Sequence, residues 1–180
     1  MKSLKKIISA FVVACVLGLA LTSCSGYNFY DEFKEAGADI TEDHIFEVIN
    51  LEKAQAKIEA DETFVLVYGT AESQSCVNII TSLQAQAEYL EAEDKTVYFM
   101  DATDYIESSK KRKEVREALD INDPMDALSD SPVIIIYKNG KVDIDTSNPD
   151  SSRTKKFLND SGAVQYASLA SYIFREILAE

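Results

Sequence analysis

The chain has one histidine, His44, in 180 residues. A serine nucleophile needs a base beside it to take its proton, and histidine is the usual one. No histidine lies near a candidate serine, so a triad hydrolase is not expected. Zinc needs cysteines and histidines in sets of close spacing. Three cysteines, at positions 15, 24 and 76, and that one histidine assemble no such set. Positive charge is also scarce: 18 Lys and Arg face 31 Asp and Glu, for a net charge of -13. Nucleic-acid binding rests on a basic patch or stripe, so nucleic acid is excluded as a partner. The one long apolar run, Ile7 to Leu21, is short of the roughly 20 residues that a membrane-spanning helix needs. What remains is an ordinary apolar content of 46%, enough to bury a core. Global disorder is not expected, and the length suits one domain with additions.

That apolar run has a meaning by position. Lys2, Lys5 and Lys6 precede it and Leu21-Thr22-Ser23-Cys24 ends it. A basic start, an apolar middle and a small-residue end make a signal peptide. The final four residues resemble the lipobox of bacterial lipoproteins, with Leu21 at its first position and Cys24 as the acylated residue. The resemblance implies that residues 1–23 are removed. Cys24 then carries lipid, palmitate among its acyl groups, and the chain sits on the extracytoplasmic face of the cell membrane. The mature chain keeps 15 basic residues against 31 acidic ones, and Cys15 is gone. Cys76 is then the one remaining thiol, so no intramolecular disulfide can form. In an oxidising compartment such a thiol must be buried, reactive or paired with another molecule.

Residues 24–43 read as a lipid-anchored tether. About 20 flexible residues span roughly 25 Å on average and about 70 Å when stretched. Tyr27, Phe29, Tyr30 and Phe33 make this tether aromatic. They can dock on the domain, as a short helix that Gly37 ends, touch lipid headgroups, or bind a partner.

Residues 44–180 alternate between strand and helix patterns. His44 to Ile49 is β-rich, and Leu51, Ala54 and Ile58 stand at helical spacing behind an Asn50 cap. Thr63 to Tyr68 is an apolar run suited to a strand buried on both faces. Ser73 caps a helix to about Glu91. Lys95 to Asp101 is a second buried strand, and Ser108 or Ser109 opens a helix that ends near Leu119. Pro132 to Tyr137 is a strand, Lys138-Asn139-Gly140-Lys141 a hairpin turn, and Val142 to Asp145 its return. A polar stretch to Gly162 precedes a closing helix with Leu169, Ile173 and Ile177 on one face. Strands alternating with helices imply a layered α/β domain around a central sheet.

This order, the stretch GTAESQSCV and the stretch Ser131-Pro132-VIIIYKNGK together resemble the thioredoxin-like family. The resemblance implies a three-layer sandwich, a central mixed sheet flanked by helices, and a cis-proline loop at Ser131 and Pro132 that presents backbone to a polypeptide client. It also shows what is missing. The family's nucleophilic cysteine falls on Ser73 and its second cysteine on Cys76. Its motif proline falls on Ser75, the preceding tryptophan on Glu72, and its buried acid on Val67. Dithiol exchange needs an attacking thiolate and a resolving thiol, and Ser73 cannot be the first. The chain resembles bacteriocin-accessory-type lipoproteins more than thioredoxin itself. Two functions follow. One is a client- or envelope-partner-binding accessory module that needs no cofactor. The other is a one-cysteine thiol-disulfide oxidoreductase in which Cys76 attacks directly. Cys76 is read either as a small core residue or as a reactive thiol.

Three further features carry less. The basic run Lys110 to Lys113 reads as a solvated helix face, or as a contact with anionic headgroups. Asp120, Asp123, Asp126 and Asp130 look calcium-like but place Pro124 and Met125 where a calcium loop needs a ligand and a glycine. Asp143-x-Asp145-x-Ser147 starts better and then has Asn148 in place of glycine.

Overall fold

The computed structural model describes residues 27–106, 108–121 and 132–179. The chain forms a three-layer α/β sandwich around a five-stranded mixed sheet. In chain order the elements are α1 (Phe29–Glu35), β1 (Phe46–Val48), α2 (Leu51–Glu59), β2 (Phe64–Gly69), α3 (Gln74–Tyr89) and β3 (Val97–Asp101). The one-turn α4 (Thr103–Ile106), α5 (Ser109–Leu119), β4 (Val133–Lys138) and β5 (Lys141–Asp145) follow. After a 3-10 turn at Thr154–Phe157, α6 (Tyr166–Tyr172) continues as a π-helical segment, Ile173–Ile177.

The strands lie in the order β1-β3-β2-β4-β5. β1, β3 and β2 run parallel, and β4 and β5 run antiparallel to their neighbours. β2 is central and buried along its whole length. Its alternate residues serve two cores, as a strand's period of two requires. Val65 and Val67 face α1, α3 and α6, where Phe33, Ile80, Leu83, Leu169 and Ile173 pack. Phe64, Leu66 and Tyr68 face α2 and α5, where Ala54, Val115 and Leu119 pack. The continuous apolar run in β2 therefore reflects helices on both faces of the sheet.

Local signals set the ends of the helices. Asn50 accepts from the Lys53 amide at 2.9 Å, Ser73 from Cys76 at 3.3 Å and Ser108 from Lys111 at 3.3 Å. Each satisfies an amide that the first helical turn leaves without a partner. At the β4–β5 turn Asn139 and Gly140 have φ of 50° and 67°. That pair of left-handed residues is what a tight hairpin needs and what Asn-Gly tolerates.

The aromatic segment adopts the docked arrangement among the alternatives read from the sequence. Phe29 and Phe33 are buried, with Phe33 fully so, and their rings lie 5.0 and 5.2 Å from that of Phe99. Asn28 caps α1, and Gly37 leaves it at φ 95°. The Ala38 amide bonds back to Phe33 at 2.8 Å. Asp39 then donates its amide to Thr81 on α3 at 3.0 Å. Residues 27–40, expected within a tether over 24–43, thus belong to the folded unit. Only Ser25 and Gly26 stand between that unit and Cys24.

The polar stretch after β5 is tied down by a side chain and by a backbone bridge. Thr154, fully buried, donates its hydroxyl to the Asp145 carbonyl at 3.0 Å. Leu158 bridges to Val164. Among the described residues, no helix is long and apolar enough to cross a membrane.

Candidate functional site

The candidate site lies where β2 and β3 end and α3 begins. Sheet register puts Gly69 opposite Asp101. Crevices beyond the carboxyl ends of strands are the usual binding place in α/β sheets. The turn from β2 to α3 is held by Thr70. Its carbonyl accepts from the Ser73 amide at 3.2 Å, and its hydroxyl accepts from the Glu72 amide at 3.3 Å. The Thr103 hydroxyl donates to Asp101 at 2.7 Å and lies 3.4 Å from the Thr70 hydroxyl.

Ser73, Cys76 and Pro132 come together here. Ser73 spends its oxygen on the Cys76 amide as the helix cap. Cys76, in the first turn of α3, points inward and is 0% exposed. Gly69 is the floor of this packing. A Cβ built there would stand 2.7 Å from the Cys76 sulfur and 3.1 Å from the Pro132 Cβ. Pro132 is itself buried. Ser131 and Cys24 lie outside the described residues, as does the peptide bond before Pro132. Of the four-aspartate loop after α5, only Asp120 is described.

Burial decides the state of the thiol. It pushes the Cys76 thiol up to about 12, with a smaller push from the Asp101 charge, while a hydrogen bond with the Thr70 backbone pulls the other way. The helix N-terminus favours a thiolate, but desolvation outweighs it. At pH 8 such a thiol is ionised in about one molecule in ten thousand, against about a quarter for an unperturbed thiol. Alkylation of Cys76, read on the peptide that contains it, is therefore expected to be at least about 100-fold slower in the native chain than in urea. Equal rates in the two states would show that the thiol is reactive.

Val67, expected from the resemblance at the position of the family's buried acid, is a core residue, 0% exposed. The acid whose charge bears on the thiol stands on the neighbouring strand, as Asp101. Gly69 and Thr70 stood inside the stretch GTAESQSCV without a role, and Asp101 and Tyr27 stood outside it. Tyr27 stacks on Phe99 at 6.1 Å, and burial, Asp101, Glu32 and Cys76 all raise its phenol above its usual range. Its buried hydroxyl has no hydrogen-bond partner among the described residues. Gly69 and Thr70 directly follow an apolar run, which was a usable signal. Asp101 and Tyr27 arrive through sheet register and docking of α1, which no spacing encodes.

Beside the turn, an open groove of about 600 Å³ runs between α1 and Ala71–Glu72. Asp31, Glu32, Glu35 and Glu72 line it, so it is strongly acidic. The calcium-like stretch after β4 is engaged otherwise. Asp143 pairs with Arg153, and Asp145 accepts from the amide and hydroxyl of Ser147 at 2.9 and 2.6 Å. Among the described residues, no group of three or more carboxylate, histidine or cysteine side chains is arranged to hold a metal ion.

No protein-family model matches the chain, and comparison with curated proteins finds no match.

Proposed function

We propose that the protein is a lipid-anchored extracytoplasmic accessory module of thioredoxin-like type. It takes an extended polypeptide, from a client or an envelope partner, at the loop that leads into β4, without dithiol chemistry. The burial of Cys76 carries this reading. A thiol that is 0% exposed and packed against Gly69 serves as core. Ser73, at the family's nucleophile position, serves as a cap. An extended peptide can bind by backbone pairing, with no nucleophile. The order of basic, apolar and lipobox residues before Cys24 supports the anchor. The one-cysteine oxidoreductase is the weaker reading, because it needs an exposed and ionisable thiol.

The test uses the full chain in a bacterial host, with a photo-crosslinking amino acid at position 131. Fatty-acid labelling lost on Cys24→Ala is the expected sign of the anchor. Capture of a polypeptide from position 131 is expected to persist in Cys76→Ala and to weaken with Pro132→Ala. Capture that disappears with Cys76→Ala would favour the thiol enzyme.

A further inference from the structure

Docking of α1 changes what an anchor at Cys24 does. Tyr27 stacks on Phe99 of β3, and its neighbour Asn28 lines one groove with Ala71 and Glu72, beyond the carboxyl end of β2. Cys24 is three residues upstream of Tyr27, and three extended residues reach at most about 11 Å. The six residues of β2 span about 20 Å. The β4–β5 hairpin lies at the far end of the sheet, where Gly140 bonds to Glu62 at 3.0 Å. The anchor is therefore shorter than the sheet and leaves from the same end as the candidate site.

Basic charge at this end gathers on one face of the sheet, beside the exposed Asp104 of α4. The only basic run begins α5, and its Lys110, Lys111 and Lys113 are exposed. The start of α5 belongs to this end because Tyr105, just before it, packs its ring 6.1 Å from that of Tyr68 near the end of β2. On the opposite face stand Asp31, Glu32, Glu35 and Glu72 of the groove. Anionic headgroups attract the first set and repel the second, over a screening distance of about 8–10 Å.

Resting on the lipid-anchored reading above, we infer that the carboxyl end of the parallel strands faces the bilayer. The start of α5 rests on the headgroups, and the acidic groove is held off them. The site then opens into a narrow gap at the membrane. A folded soluble partner is too large to enter it, and a polypeptide segment lying on the membrane surface is not. The inference names the class of client for the proposed site.

The test uses the full chain in the membranes of the cells that make it. Single Glu72→Cys and Lys141→Cys variants, both at exposed positions at opposite ends of the sheet, are treated with a small maleimide and with one bearing a large polyethylene glycol chain. The large reagent is expected to lag the small one several-fold more at position 72 than at position 141. Detergent extraction is expected to abolish the difference. Gln74→Cys, exposed two residues before Cys76, repeats the measurement should the first variant fold poorly. Equal ratios in the membrane-bound chain, or greater shielding at position 141, would overturn the orientation alone. A chain absent from the membrane fraction would overturn the anchor and the orientation together.

Discussion

Gly69→Ala is expected to destabilise the fold by about 1–3 kcal/mol, the range for forcing one extra carbon into a packed core. The new Cβ would meet the Cys76 sulfur at 2.7 Å and the Pro132 Cβ at 3.1 Å. Neither neighbour can yield freely. The sulfur is one rotatable bond from the α3 backbone, and Pro132 is a ring fixed at the entry to β4. Cys76→Ala removes the closer of the two contacts, so the cost of Gly69→Ala is expected to be smaller in that background. Residues in direct contact show coupling of about 0.5–3 kcal/mol in such cycles. Urea midpoints of the four chains, compared at constant slope, measure it. An equal cost in both backgrounds would mean that Gly69 and Cys76 do not press on each other. The same cycle bears on function, since a sulfur packed against Gly69 near Pro132 is poorly placed to attack a disulfide.

Loss of α1 is expected to have the largest effect of any change considered. Phe33→Ala empties a fully buried aromatic site, and such truncations cost about 3–5 kcal/mol. Whole domains are stable by only about 5–15 kcal/mol. Deletion of residues 27–40 removes Phe29, Phe33, Ala38 and Ile40 from the core at once. It also removes the Asp39 bond to α3. The deleted chain is expected to lose cooperative unfolding, whereas Phe33→Ala should unfold cooperatively at a much lower urea concentration. Circular dichroism across a urea titration separates the two. A deleted chain with an unchanged midpoint would return this segment to the status of a tether. On the proposed lipid-anchored reading the distinction matters, because a long tether lets the domain turn in any direction and two residues do not.

Much of this architecture is legible without coordinates, and the reasons are local. The caps at Asn50, Ser73 and Ser108 announce helices, since a serine or asparagine oxygen satisfies an amide that the helix itself cannot. Asn139-Gly140 announces a hairpin, since few other pairs tolerate two left-handed residues. β2 announces a central position by being apolar throughout. The aromatic segment was harder. Phe29 and Phe33 stand at helical spacing, but seven residues are too few to make a stable helix alone. Its structure comes from Phe99, which is far away in sequence. The candidate site divides in the same way. Ser73, Cys76 and Pro132 were visible as residues of a motif. Asp101 and Tyr27 stood outside every motif.

By itself, then, the order of residues determined the layered α/β plan, the starts of α2, α3 and α5, and a serine as the cap three residues before Cys76. These depend on periodicity and on contacts within one turn of chain, which a linear sequence records directly. Tertiary structure alone decided that Cys76 is buried at 0% exposure, that Gly69 is the surface it presses on, and that Tyr27 and Asp101 stand beside it. Each of these is set by strand register or by one element docking on another. The energies that choose them belong to surfaces brought together from distant parts of the chain.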